Sequence, residues 1–164
     1  MTALDTSHLV AIAHAIAHRQ ELWRPIARHD PERRWFTRRY RTVEVEAWLL
    51  TWTMQQGIEL HDHGGSVGAI VVVEGNLTEL FTDVATGAGL TEAHWRQGSV
   101  HSFGPTHVHG LRNLGPGPAT SIHVYSPPLT AMTYYDPRPT TFMTPLRVEP
   151  VTPPPPADGL PVAP

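Results

Sequence analysis

The spacing of apolar residues near the N-terminus predicts an amphipathic helix over residues 7–20. Apolar positions recur there at intervals of three and four, which is the spacing of one helix face. A second short helix is predicted around residues 20–28. The apolar stripe of the first helix is formed by Leu9, Ile12, Ala13 and Ile16, and its candidate N-caps are Asp5, Thr6 and Ser7.

From residue 40 onward the pattern changes to the period of two that is typical of strands. The basic stretch 33–39 is interpreted as a solvated turn that leads into a strand, and strand-like sequence extends from residue 40 to residue 54. Many short strands separated by Gly and Pro, with helix only at the N-terminus, favour an all-β barrel or sandwich. The later strands are predicted at 69–75, 77–82, 90–95, 99–103, 106–112 and 119–126.

The length of 164 residues suits one domain, which we place at residues 1–148. Within it, the helices occupy about residues 5–29 and the barrel about residues 36–145. Residues 149–164 are rich in proline, so a C-terminal tail that is extended or disordered is predicted there.

Composition and charge narrow the function classes. The net charge is -3 and no basic stripe is present, so a nucleic acid partner is not expected. The longest strongly apolar run, residues 69–73, is too short to span a bilayer, so no membrane association is expected. The N-terminus lacks a signal-peptide pattern, which predicts a cytoplasmic protein.

Two residue types that support common chemistries are missing. The chain has no cysteine, which excludes disulfides, thiolate zinc sites and a cysteine nucleophile. All twelve basic residues are arginine, which excludes a Schiff-base lysine and a P-loop. The eleven histidines make imidazole the one abundant metal-binding group, with carboxylates second.

A metal site is predicted around the pair His61 and His63. Residues two apart in a strand point to the same face, so both imidazoles can reach one ion such as iron, copper, nickel or zinc. His109, which begins an H-x3-N pattern ending at Asn113, is the favoured third ligand. His101 and His107 are its competitors, and His107 shares the face of His109 by alternation.

A second polar group lies on the predicted strand 119–126. Ser121, His123 and Tyr125 alternate along one face, so hydroxyl, imidazole and phenol can pass a hydrogen bond towards a pocket. The alternative is an ordinary half-buried strand whose polar residues face the lumen of a barrel.

These motifs together resemble a known family. An H-x-H, a strand ending in Gly75 and a later H-x3-N resemble the two motifs of the cupin superfamily. With the S-x-H-x-Y-S-P-P segment that ends at Pro128, they resemble cysteine dioxygenase, the thiol dioxygenase branch of the cupins, from about Phe36 onward. The resemblance implies a double-stranded β-helix barrel, similar to a jelly roll, with short N-terminal helices.

The resemblance also implies an activity and a site. In that family a ferrous iron on three histidines binds the thiol substrate, and dioxygen oxidises L-cysteine to cysteine sulfinate. Carried over by motif, the Fe2+ ligands are His61, His63 and His109, and the relay is Ser121, His123 and Tyr125. The implied partners are therefore a small thiol and dioxygen, and the sequence leaves the oligomeric state open.

The aromatic-Thr-Arg stretch of the family matches Phe36, Thr37 and Arg38, and implies that Arg38 clamps the substrate carboxylate. A planar guanidinium fits a carboxylate bidentately. Arg39 is the rival, but in a strand it points to the opposite face. Phe36 departs from the usual tyrosine and lacks its hydroxyl.

Two further departures concern the metal site. The usual cupin glutamate is missing, because Val67 and Gly68 stand at its places, so three histidines have no fourth ligand from the protein. Gly68 also replaces the cysteine that cross-links to the tyrosine in animal members, so Tyr125 must act as a free phenol.

Two alternative functions remain. One is the same chemistry on another small thiol such as 3-mercaptopropionate, although relatives with that preference tend to hold glutamine where Arg38 stands. The other is a non-catalytic cupin that binds a metal or a ligand as a sensor, which would have no need of the Ser121, His123 and Tyr125 relay.

Overall fold

Two antiparallel β-sheets face each other, and one helix lies against the outside of the first sheet. The structure is a computed structural model that describes residues 4–87, 89–138 and 143–152. Its helix is α1 (Thr6–His18), and its strands are β1 (Phe36–Arg41), β2 (Glu46–Trp52), β3 (Gly57–His61), β4 (Val67–Glu74), β5 (Asn76–Asp83), β6 (Thr91–Arg96), β7 (Val100–Phe103), β8 (His107–Arg112), β9 (Ala119–Ser126), β10 (Ala131–Tyr135) and β11 (Pro145–Pro150).

The strand order identifies the architecture. The first sheet has the order β1-β2-β9-β4-β7, and the second has the order β11-β10-β3-β8-β5-β6. Consecutive strands such as β2, β3 and β4 lie in alternate sheets, so the chain winds around a barrel axis. The predicted fold class, an all-β cupin barrel, is confirmed.

The first sheet is buried on both faces, which explains the unbroken apolar run in β4. Leu49, Val71 and Val124 face α1, where they form one core with the fully buried Leu9. Their neighbours in sequence face the second sheet, because strand side chains alternate. The inner face therefore carries two kinds of residue, the apolar Trp48, Leu50, Trp52, Ile70 and Val72 and the polar residues of β9.

The N-terminal helix agrees with the predicted stripe, and the side chain of Asp5 caps it by accepting a hydrogen bond from the His8 amide. The predicted second helix over 20–28 forms only in part. A 3₁₀ turn, Gln20–Leu22, is followed by hydrogen-bonded turns in which the Arg24 amide donates to the Gln20 carbonyl and the Ala27 amide donates to the Trp23 carbonyl. The Trp23 ring is buried in the core, and its indole N–H donates to the Ala17 carbonyl at 3.2 Å.

The basic stretch 33–39 also differs from its interpretation as a turn, because β1 begins at Phe36 and pairs with β2. The turn lies later, where the Thr42 hydroxyl accepts hydrogen bonds from the amides of Glu44 and Val45. Polar side chains concealed this strand because only one of its faces is turned to the barrel.

The first residues of the predicted tail belong to a strand. Glu149 and Pro150 belong to β11, and the Val151 amide donates to the Thr130 carbonyl at 3.0 Å. Residues 153–164 lie outside the described residues. In the described part of the chain, no helix combines the length and the apolar character needed to cross a membrane.

Leu49→Ala should lower the free energy of unfolding by about 2–5 kcal/mol, because Leu49 is fully buried between α1 and the first sheet. Urea denaturation followed by circular dichroism measures the loss. Leu114→Ala is the matched control, since Leu114 is 52% exposed. Equal losses in both variants would contradict the packing described here.

Candidate metal centre and its cavity

Three histidines meet on the inner face of the second sheet. The register of β3 and β8 places His61 directly opposite His109, and His63 follows two residues after β3 ends near His61. The ring centroids are 4.9–5.0 Å apart, and one nitrogen from each ring lies within 4.8 Å of the others. The structure thus brings together the three histidines that the sequence predicted as ligands.

Hydrogen bonds orient two of these rings. His61 Nδ1 lies 2.7 Å from the Glu59 carbonyl, so Nδ1–H donates to it and Nε2 stays free. His109 Nδ1 lies 2.5 Å from a carboxylate oxygen of Glu79, which leaves its Nε2 without a partner among the described residues. Neither ring nitrogen of His63 has a partner there.

This donor set fits a metal ion. Leaving a buried polar atom unpaired costs about 1–3 kcal/mol, and an ion at the centre would satisfy all three imidazoles at once. Burial holds the pKa of His61 and His63 well below the ordinary histidine value, and it also lowers the pKa of His109. The rings are therefore neutral near pH 7, which is the form that binds metals.

Glu79 supports His109 from behind. This carboxylate is buried in β5, and it also accepts hydrogen bonds from the Trp95 indole at 2.7 Å and from His107 at 3.2 Å. Burial alone would raise the pKa of Glu79, but hydrogen bonds from His101, His107 and His109 hold it below its usual range. A carboxylate behind a ligating histidine fixes its tautomer and its orientation.

The competing histidines surround Glu79 instead of joining the three-histidine group. His101 stacks on Trp95 at 4.1 Å between ring centroids, with Nε2 3.4 Å from Glu79. Glu79, His107 and His109 form a second group with metal-binding spacing. We favour the three-histidine group because hydrogen bonds within the second group already pair its atoms.

Asn113, which completed the H-x3-N pattern, is fully buried outside the centre. Its amide donates to the carbonyls of Trp52 at 3.0 Å and Gly117 at 2.8 Å. Asn113 therefore fixes the loop after β8, and so the end of the strand that carries His109.

The place of the usual cupin glutamate is closed by an aromatic ring. A Cβ atom on Gly68 would lie 2.3 Å from Cζ of Phe103, so no side chain fits there unless Phe103 moves. Phe103 in turn stacks on His63 at 4.8 Å between centroids. A carboxylate or a cysteine at residue 68 is thus replaced by a packed ring.

The predicted relay lies on β9, across the cavity from the second sheet. Ser121 Oγ lies 2.9 Å from His123 Nε2, and His123 Nδ1 lies 3.0 Å from the Tyr125 hydroxyl. The sequence reasoning missed a fourth member, Trp52, whose indole N–H donates to Ser121 Oγ at 3.0 Å.

The burial of Ser121 sets the direction of this chain. Trp52 donates to Ser121 Oγ, and the only acceptor for the Ser121 hydroxyl hydrogen among the described residues is Nε2 of His123. The Nδ1–H of His123 then donates to the Tyr125 oxygen, which leaves the phenol proton free for another acceptor. Burial holds the pKa of His123 well below its usual value and raises that of Tyr125. Both groups therefore stay neutral near pH 7.

A cavity of about 200 Å³ opens beside these groups. Its lining includes His61, His109, His123 and Tyr125, together with the aromatic side chains of Phe36, Trp48, Trp52 and Tyr134. Its size is below the roughly 300–1,000 Å³ that is typical of drug-sized ligands, so it suits a small molecule.

Neither Arg38 nor Arg39, the two arginines proposed from the sequence to reach the substrate, lines this cavity. Nη1 of Arg38 lies 3.8 Å from a carboxylate oxygen of Glu46. Arg39 is half-buried at a β-bulge, where its Nε has no partner among the described residues. Arg34 does line the cavity, although the sequence reasoning had placed it in a solvated turn.

The family model of cysteine dioxygenase type I matches residues 1–138.

Solved structures share the fold. The TT1209 protein of Thermus thermophilus is 22% identical with a TM-score of 0.55, and the match covers 63% of this chain and 92% of that one. An RmlC-like cupin of Desulfovibrio desulfuricans is 21% identical with a TM-score of 0.52, over 63% and 91%. A double-stranded β-helix protein of Klebsiella pneumoniae is 19% identical with a TM-score of 0.52, over 63% and 85%.

Single His→Ala substitutions should separate the two groups of histidines. Variants at His61, His63 and His109 should lose bound iron, because each removes one of three converging nitrogens. His107→Ala should keep it and is the matched control. Metal content after dialysis, measured by plasma mass spectrometry, tests this prediction. If His109→Ala kept its iron and His107→Ala lost it, the third ligand would be His107 and the assignment to His109 would be wrong.

Glu79→Gln should weaken iron binding by about ten- to a hundredfold, because the amide no longer holds His109 with a charged acceptor. Iron affinity measured by competition with a chelator tests this. Glu74→Gln, at the half-buried end of β4, serves as the control. Unchanged affinity in Glu79→Gln would mean that the carboxylate only fills space.

Proposed function

Because the chain belongs to the cysteine dioxygenase type I family, we propose that it is an iron-dependent thiol dioxygenase that oxidises L-cysteine to cysteine sulfinate. The observation that carries the proposal is the three-histidine group with unpaired nitrogens beside the Tyr125 relay. Tyr125 lies close to this group, with 5.1 Å between its ring centroid and that of His63.

The proposed reaction balances without a further reductant. The thiol R–SH and dioxygen give the sulfinic acid R–SO2H. The O–O bond breaks and two S–O bonds form. Sulfur supplies the four electrons that reduce both oxygen atoms, and the thiol proton ends on the sulfinic acid or in solvent.

The chain's own residues would hold the metal as an incomplete coordination shell. His61, His63 and His109 supply three neutral nitrogens, which suits iron and leaves positions for small ligands. A bound ferrous ion would supply the redox chemistry that lets a thiol react with dioxygen. A fourth protein ligand, as in a closed structural zinc site, has no place at Gly68.

Tyr125 is proposed as the proton-holding group of the site. The relay from Trp52 through Ser121 and His123 fixes the phenol and leaves its proton directed away from His123. Tyr125 can therefore donate a hydrogen bond to oxygen or sulfur in the cavity. Trp48 and Trp52 line the cavity, and a hydrogen bond is stronger beside such apolar rings than in water.

The relay also bears on the alternative functions. A non-catalytic cupin gains nothing from an ordered donor beside its metal, so the relay favours an enzyme. 3-Mercaptopropionate remains the alternative substrate, since a 200 Å³ cavity accepts either small thiol. The cytoplasmic location expected from the sequence stays a prediction.

Oxygen uptake tests the proposal directly. The iron-loaded protein should consume dioxygen when L-cysteine is added, and His63→Ala should not. A panel with 3-mercaptopropionate and cysteamine ranks the substrates. No uptake with any thiol, in protein that retains iron, would support the sensor function instead.

Tyr125→Phe should bind iron normally but turn over more slowly, because it removes the positioned proton. Such a group contributes typically about 10²–10⁴-fold. Steady-state kcat, with iron content as the control, measures the effect. An unchanged kcat would mean that the relay is only structural.

A further inference from the structure

We propose that Arg34 binds the substrate carboxylate, and that the substrates are therefore small thiols that carry a carboxylate. This inference rests on the proposed thiol dioxygenase function. It assigns recognition to a different residue from Arg38, the one that matches the family motif.

The backbone around Arg34 is fixed to the first sheet. The Thr51 amide donates to the Trp35 carbonyl at 2.9 Å, so pairing with β2 continues ahead of β1. In extended chain, residues two apart share a face. Arg34 consequently faces the barrel on the same side as Phe36, and both line the cavity.

Aromatic rings hold the Arg34 guanidinium in place. Its central carbon lies 4.9 Å from the ring centroid of Trp52 and 5.4 Å from that of Phe36. Such contacts orient a guanidinium. Its N–H groups, which lie in the guanidinium plane, stay free for an acceptor. Phe36 lacks the hydroxyl of the family's usual tyrosine, and the Arg34 guanidinium provides a polar group beside its ring.

The charge of Arg34 has no counterion in the part of the chain that the structure describes. Its Nη1 is buried without a hydrogen-bond partner among the described residues. Burial lowers the pKa of Arg34, but an arginine stays protonated in proteins. A buried, charged donor without an acceptor is costly, and an anionic ligand in the cavity would remove that cost.

Two other arginines of β1, Arg38 and Arg41, already have a partner, and Arg39, whose Nε has none among the described residues, does not line the cavity. Glu46 is fully buried, and its carboxylate lies 3.8 Å from Arg38 and 3.3 Å from Arg41. A carboxylate does line the cavity, that of Glu149, but it accepts a hydrogen bond from Arg147 Nε at 2.7 Å. The unpaired positive charge in the cavity lining is therefore that of Arg34.

Arg34 lines the same cavity as the metal centre and the relay. His61 and His109 of the metal centre and His123 and Tyr125 of the relay border that cavity together with Arg34. A thiol with its sulfur at the histidines can thus direct a carboxylate to Arg34. Cysteine and 3-mercaptopropionate meet this requirement, and cysteamine, which has no carboxylate, does not.

The test measures binding separately from turnover. Anaerobic titration of the iron-loaded protein with cysteine, 3-mercaptopropionate and cysteamine is followed by the fluorescence of Trp48 and Trp52, which line the cavity. Arg34→Gln should weaken the binding of the two thiols that carry a carboxylate by about ten- to a hundredfold, and it should leave the binding of cysteamine unchanged. Arg34→Lys should restore part of the loss, because it keeps the charge.

Two further variants make the result specific. Arg33→Gln is the matched control, because Arg33 is exposed, and it should bind all three thiols normally. Arg38→Gln should weaken the binding of the two thiols with a carboxylate less than Arg34→Gln does. The assignment would be overturned if Arg38→Gln caused the larger loss of affinity, or if Arg34→Gln weakened cysteamine binding as much as cysteine binding. Oxygen uptake by the native protein distinguishes that failure from a failure of the proposed function.

Discussion

Three imidazoles buried on one face of a sheet are the constraint on which the structure depends, because nitrogens of His63 and His109 have no partner among the described residues. Burying an imidazole nitrogen without a partner is unfavourable. The surrounding residues must therefore hold the rings in the positions where a bound ion offsets that free-energy cost. The β3–β8 register, the Glu59 carbonyl and the Glu79 carboxylate do this for His61 and His109. Stacking on Phe103 does it for His63.

The opposite sheet supplies the chemistry that the metal centre lacks. Because α1 covers its outer face, the first sheet can place apolar residues outside and Ser121, His123 and Tyr125 inside. The cavity between the sheets is consequently polar at its base and aromatic along its walls. One alternating strand, β9, thus contributes both to stability and to the site.

Local patterns predicted much of this arrangement. The stripe around Leu9 and Ala13 predicted α1, and alternation in residues 119–126 predicted β9 with its observed bounds. Non-local features were missed. Glu79 reaches His109 only because β5 pairs with β8, and Trp52 reaches Ser121 only because β2 pairs with β9. The burial of Trp23 in the core beside α1 was likewise not evident from the local pattern.

Arg34 shows a different limit. The basic pattern of residues 33–39 predicts a solvated turn for it, and the motif match favours Arg38. The difference between them is the buried Glu46, whose proximity to Arg38 follows from the β1–β2 pairing. Charge pairing across strands thus decides which arginine is free for an anion.

A thiol dioxygenase inserts both atoms of dioxygen into its substrate. Mass spectrometry of the product formed from L-cysteine under dioxygen labelled with heavy oxygen is the most direct test of that activity in this protein. We expect cysteine sulfinate with both sulfinate oxygens labelled. Cystine with hydrogen peroxide, or a sulfinate whose oxygen comes from water, would contradict it.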